Sequence, residues 1–131
     1  MGTPDDVRER IENDPYCETL GIQLVALESG YARTTLRVTE DLQNFHGTPH
    51  GGAVYSLADA AFAAASNSRG DTAVALETNI SYLEAVDVGC VLTATAKETH
   101  VGNRTAEYEV VLTDEEDERI ATFRGRVYRL G

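Results

Sequence analysis

Residues 52–66, "GAVYSLADAAFAAAS", constrain the fold more than any other stretch of this chain. Alanine fills seven of the fifteen positions, a composition with high helix propensity. The resulting helix is apolar nearly all round, so it has to be buried on every side instead of along one stripe. Its side chains are small enough for a sheet to approach closely. A chain of 131 residues is long enough to build one domain with a real core. The remaining sequence must therefore supply the sheet.

Alternation supplies it. "PDDVRERIEND" (4–14) reads as a short N-terminal helix, opened by Pro4 and acids, with Val7 and Ile11 on one face. Asp14–Pro15 ends it. "YCETLGIQLVALESGYARTTLRVTED" (16–41) reads as two strands around a turn at Glu28-Ser29-Gly30, with Ile22, Leu24 and Ala26 alternating, then Leu36 and Val38. Beyond the long helix, Gly70 is expected to end it within the turn 67–72. Strand-like segments follow at 72–86 and 90–102, and 104–130 forms a hairpin across the acidic turn "DEEDE" (114–118). No internal repeat, linker or low-complexity tract breaks the chain. The expected architecture is α+β, a single domain over 1–131, with one antiparallel sheet wrapped around one helix. Such a sheet leaves a face or an edge in need of a partner, so a homo-oligomer is expected.

Charge narrows the partners. The chain carries 22 acids against ten arginines and the single lysine Lys97, for a net charge of −11. That surface repels nucleic acid and anionic lipid, so neither is an expected partner. An acid-rich, lysine-poor chain resembles proteins that work in concentrated salt, where screening over ~3 Å quenches self-repulsion. No apolar run reaches the ~20 residues of a membrane span. The polar opening "MGTPDDVRERIENDP" reads as no secretory signal, and without Ser or Thr at position 6 it is no myristoylation site. A cytoplasmic protein is expected. Cys17 and Cys90, the only cysteines, read as reduced, space-filling thiols.

One acid, Asp59, interrupts the apolar helix. A carboxylate there is costly unless paired or hydrogen-bonded. Two readings are open. In one, Ser56 or a neighbouring strand satisfies a structural acid. In the other, burial tunes an acid, base or nucleophile. The helix start favours chemistry. With Thr48–Pro49 as N-cap and first helical residue, the amides of His50, Gly51 and Gly52 would be free at the positive end of the helix dipole. Free amides on glycines are the raw material of an oxyanion site. His46 and His50 are four apart, but Gly47 and Pro49 forbid one helix through both, so no zinc site is expected. No nucleophile elbow, P-loop or dinucleotide fingerprint is present. Along one helix, Gly51 and Asp59 are eight residues and roughly 12 Å apart. That is too far for both to serve one small reacting group. Two antiparallel copies of the helix in a dimer would bring Asp59 of one chain opposite Gly51 of the other.

The segment "NFHGTPHGGAVYSLADAAFAAASN" resembles the signature of hotdog-fold acyl-CoA thioesterases of the phenylacetate-degradation type, within the 4-hydroxybenzoyl-CoA thioesterase superfamily. The family pattern Asn-x-x-Gly-x-x-His-Gly-Gly, followed by Leu-x-Asp-x-Ala, is met by Asn44, Gly47, His50, Gly51, Gly52, Leu57, Asp59 and Ala61. "ETNISYLEAV" looks like the family's next strand, with Val86 where a proline is usual. The likeness runs over roughly residues 18–129. It implies a hotdog fold and a homodimer, often doubled to a tetramer. It also implies hydrolysis of an aromatic or medium-chain acyl-CoA without a metal, coenzyme A entering only as part of the substrate. Carried over, Asp59 activates water or attacks directly. The Gly51 amide polarises the thioester carbonyl, Asn44 positions water or the thioester, and His50 shapes the loop. Thr78 matches a strand position where some members carry a hydroxyl; others have serine at what is here Ala75. The family's Val-Gly-Arg-Arg-like turn reads here as Gly102, Asn103 and Arg104, with Arg104 a candidate for a CoA phosphate and Lys97 and Arg69 weaker ones. The alternative function is a non-catalytic acyl-CoA binding or sensing protein on the same scaffold. A hydratase of related fold would need a different order of acid and histidine.

Overall fold

The structure, a computed structural model, describes residues 2–131; Met1, the first residue of the expected domain, lies outside the described residues. Two short helices, α1 (Asp5–Glu12) and α2 (Pro15–Leu20), precede the hairpin β1 (Gln23–Glu28) and β2 (Tyr31–Arg37). A 3-10 turn at Glu40–Leu42 and a loop lead into the long helix α3 (Gly51–Ser66). Four strands follow: β3 (Ala73–Tyr82), β4 (Val91–Val101), β5 (Thr105–Thr113) and β6 (Arg119–Arg129). All six strands form one antiparallel sheet in the order β1-β2-β4-β5-β6-β3, which curls around α3 in the hotdog arrangement.

The helix and the sheet are matched in side-chain size. Ala53, Ala58, Ala61, Ala64 and Ala65 of α3 are buried, and the strands facing them present Ala32, Ala94, Ala96, Ala106 and Ala121, all fully buried. Small against small allows the close approach that the sequence predicts. The buried ring of Phe62 on α3 lies over Gly125 of β6, where an added Cβ would stand 2.5 Å from it. Tyr108 and Phe123 flank the same ring at centroid distances of 5.8 and 5.5 Å. Thr34 ties helix to sheet by donating to the Leu57 carbonyl at 3.1 Å.

Two local expectations are corrected. Residues 16–20 are helical and do not begin a strand. Asp14 caps α2 by accepting from the Cys17 amide at 3.0 Å, Pro15 takes the first turn, and Gly21 at φ +86° closes it. These are a helix's start and stop signals within eight residues. Likewise α3 ends at Asn67, not Gly70. The Asn67 side chain donates to the Ala63 carbonyl at 2.9 Å and accepts from the Ala73 amide at 2.9 Å, while Gly70 turns the chain further on at φ +100°.

β3 is ten residues long, lies at one edge of the sheet, and exposes Val74, Leu76 and Tyr82. A long, apolar, unpaired edge is a template for a further strand.

Candidate active site

The loop before α3 is built by Asn44. Its Oδ1 accepts from the amides of His46 at 2.9 Å and Thr48 at 3.2 Å, and its Nδ2 donates to Thr48 Oγ1 at 3.0 Å. Gly47, at φ +84°, donates to the Asn44 carbonyl at 3.0 Å. The carboxamide of Asn44 is thus spent on folding its own loop. The two histidines part company here. His46 packs against Phe45, with ring centroids 4.1 Å apart, and His50 turns to the helix.

His50, not Thr48, is the N-cap of α3. Its Nδ1 accepts from the Gly52 amide at 2.8 Å, which leaves the ring proton on Nε2. The expected trio of free amides is therefore reduced to one. His50 N–H donates to the Leu42 carbonyl at 2.8 Å, and Ala53 N–H to the His50 carbonyl at 3.0 Å. Gly51 N–H, between them, has no acceptor among the described residues. A single unpaired donor at a helix start, where the dipole is positive, suits a developing negative charge.

Asp59 lies two turns further along α3. It is half-buried and lines a cavity of about 320 Å³ roofed by α1 and α2, together with Val7, Ile11, Asp14, Cys17 and Ile22. Its carboxylate accepts no hydrogen bond from any described residue. Ser56, the partner a structural acid would use, is bonded instead to Tyr16, with 2.9 Å between the hydroxyl oxygens. Burial raises the Asp59 carboxyl above the ordinary carboxylate range, and the nearby negative charge of Asp14 raises it further. The same desolvation, with Asp14 and Asp59 adding to it, pushes the Cys17 thiol up to about 11. Cys17 is therefore a protonated wall of the cavity and no nucleophile.

The remaining predicted residues fall elsewhere. Thr78, on β3, is 2.7 Å from the Tyr55 hydroxyl, oxygen to oxygen. Gly102, Asn103 and Arg104 form the β4–β5 turn, and the Arg104 side chain is exposed. Arg129, which no local sequence signal marks, holds this turn: its Nη2 donates to the Gly102 carbonyl at 2.8 Å. Arg69 is occupied by Glu98 in a two-pronged ion pair of 2.7 and 2.8 Å, and Glu98 also accepts from Tyr108 at 2.6 Å. That leaves Arg69 committed to the fold.

One chain does not bring these groups together. Gly51 borders a second cavity, of about 170 Å³, with Tyr82, Val86 and Ile120, whereas Asp59 opens into the first. The Arg104 turn sits where β6 ends, and Gly51 where it begins. A strand of this length separates them by roughly 30 Å.

Residues 46–121 match the family model of the thioesterase superfamily. The acyl-coenzyme A thioesterase PaaI of Escherichia coli is 40% identical over 120 residues, covering 92% of this chain and 86% of the relative. The structure of the E. coli PaaI protein from the phenylacetic acid degradation operon superposes with a TM-score of 0.90, covering 95% of this chain and 90% of that one. A putative esterase of Archaeoglobus fulgidus is 40% identical over 91% of this chain and 77% of its own length. A Streptococcus mutans protein, solved with acetyl-CoA bound, is 27% identical with a TM-score of 0.79, covering 84% of this chain and 89% of that one.

Proposed function

The chain belongs to the thioesterase superfamily, and we propose on that ground that it hydrolyses an aromatic or medium-chain acyl-CoA to the free acid and CoA. The observation that carries this reading is the Asp59 carboxylate, half-buried, without a hydrogen-bond partner among the described residues, and open to a cavity. Such a group is a base or nucleophile in waiting. In the base route Asp59 takes a proton from water and the hydroxide adds to the thioester carbon. The oxyanion that forms is met by Gly51 N–H. The tetrahedral intermediate then expels CoA thiolate, which recovers the proton from Asp59. In the direct route the carboxylate itself adds and CoA thiolate leaves; water then cleaves the resulting anhydride to the free acid and the Asp59 carboxylate, and the proton released goes to the thiolate. Asn44 and His50 hold the loop and helix start that aim Gly51. Thr78, with Tyr55, offers a hydroxyl from the neighbouring strand. Arg104, with Gly102 and Asn103, meets a CoA phosphate.

The active unit is a homodimer, doubled to a dimer of dimers, of single domains spanning 1–131 and working in the cytoplasm. Pairing two β3 edges antiparallel would continue the sheet and set the two α3 helices antiparallel on one face. Asp59 of one chain would then face Gly51 of its mate, and the partner's α3 C-terminal end would lie beside this chain's helix start. That the E. coli relative is an acyl-coenzyme A thioesterase and the Streptococcus mutans protein binds acetyl-CoA supports this chemistry.

The test is free-thiol release over a panel of aryl and straight-chain acyl-CoAs in high salt, with Asp59→Asn beside wild type. A general-base or nucleophile role predicts a loss of about 10²–10⁴-fold in kcat with the fold intact. Wild-type rates in Asp59→Asn would contradict the mechanism, and tight binding without turnover in wild type would favour a sensor instead.

A further inference from the structure

Gly51 is held from a direction that the loop does not supply. Tyr82, the last residue of β3, donates its hydroxyl proton to the Gly51 carbonyl at 2.9 Å. Its ring also lies against that residue: a Cβ on Gly51 would stand 3.3 Å from Oη and 3.5 Å from Cζ. The peptide linking Gly51 to Gly52 is thus gripped at both ends, its oxygen by Tyr82 and its N–H by His50 Nδ1 at 2.8 Å. The peptide before it is gripped at its oxygen by Ala53 N–H at 3.0 Å. Only Gly51 N–H, between the two, is uncommitted among the described residues.

Glycine turns about its backbone bonds more freely than any other residue. A donor on glycine points in one direction only if its neighbours hold it there, and an oxyanion donor works to the extent that it is already aimed. We propose that Tyr82 is a positioning residue for hydrolysis: its hydroxyl pins the Gly51 carbonyl and so fixes the line along which Gly51 N–H meets the thioester oxygen. This rests on the reading of Gly51 as the polarising donor. Tyr82 itself handles no proton of the reaction. The tyrosine oxygen is what matters, since phenylalanine would fill the same space and leave the carbonyl only the helix's own bond from the Tyr55 amide.

Tyr82→Phe tests it. The ring stays and the side chain is 54% exposed, so the fold is retained, and a thermal melt on the same sample checks this. With the best acyl-CoA of the panel, kcat is expected to fall about five-fold, the worth of one neutral hydrogen bond. KM should stay within about two-fold, because the donor holds the ground-state carbonyl far more weakly than the oxyanion. The second readout is the infrared carbonyl stretch of a 1-¹³C-acyl-CoA bound to Asp59→Asn, with and without Tyr82→Phe. A positioning role moves the stretch of the bound thioester, read against that of free acyl-CoA, to higher frequency as polarisation is lost. Unchanged kcat, or a lower kcat with an unmoved stretch, overturns the inference. A wild-type protein that turns over no acyl-CoA defeats the thioesterase reading instead, so the two failures are told apart.

Discussion

A half-buried carboxylate without a partner, as Asp59 is among the described residues, lowers stability. Its carboxyl is raised by burial first and by Asp14 second, so the folded state holds the proton more tightly than the unfolded chain does. For such a group, stability is lost as pH rises through the raised pKa, and the loss persists at neutral pH. Asp59→Asn, neutral at every pH, is therefore expected to melt a few degrees above wild type at pH 7, with the difference vanishing in acid where wild type is protonated too. A differential scanning calorimeter reads this directly; a lower melting point at pH 7 would contradict it. Activity runs the other way. It requires the ionised form, so the acid limb of kcat/KM should sit above the ordinary carboxylate range. The lone acid and its glycine neighbours were legible as sequence because they break a pattern. The cap was not. Thr48–Pro49 satisfies every local rule for a helix start, yet the structure uses His50, whose Nδ1 reaches the Gly52 amide.

At the scale of elements, α1 and α2 turn a helix face into a cavity. Without them the side of α3 bearing Asp59, Ala60 and Ala63 would meet solvent. α2 is six residues long and depends on its ends: Asp14 at one and Gly21 at the other. Asp14→Ala should lower stability by ~1 kcal/mol through the lost cap, as measured by urea unfolding. It also removes the charge that raises Asp59, so the acid limb of the rate profile should move to lower pH. An unmoved limb would mean that Asp14 does not act on Asp59. The order and type of the other elements were readable because alternation and an all-apolar helix are strong periodic signals. α2 was missed because Asp14–Pro15 ends one helix and begins the next, and only the first role is visible when the strand pattern of Ile22, Leu24 and Ala26 lies so near. Nothing local marks Tyr82 or Arg129, whose contacts span 31 and 27 residues.

At the scale of the molecule, net charge and incompleteness are the two themes. With a net charge of −11, the chain repels itself in dilute buffer. We propose that it is adapted to concentrated salt, and its melting temperature should rise with potassium chloride from millimolar to molar; equal or higher stability at low salt would count against this. Incompleteness concerns the site. One chain leaves Asp59 and Gly51 on different cavities and leaves β3 an open edge, so the proposed hydrolysis requires two chains to share each site. Mixing two inactive variants tests this most directly. Asp59→Asn lacks the carboxylate. Gly51→Pro removes the one amide in question at the first helical position, where the proline backbone is tolerated; His50 already has the extended ψ of 132° that a residue before proline adopts, and the exposed Tyr82 ring, 3.3 Å from the added Cβ, has to give way. Co-expressed under separate tags, half of the dimers are mixed and one of their two sites is intact, so about a quarter of wild-type activity should return. Recovery to that level is the predicted result; a mixture as inactive as its parents, with mixed dimers shown to form, would contradict a site shared between chains.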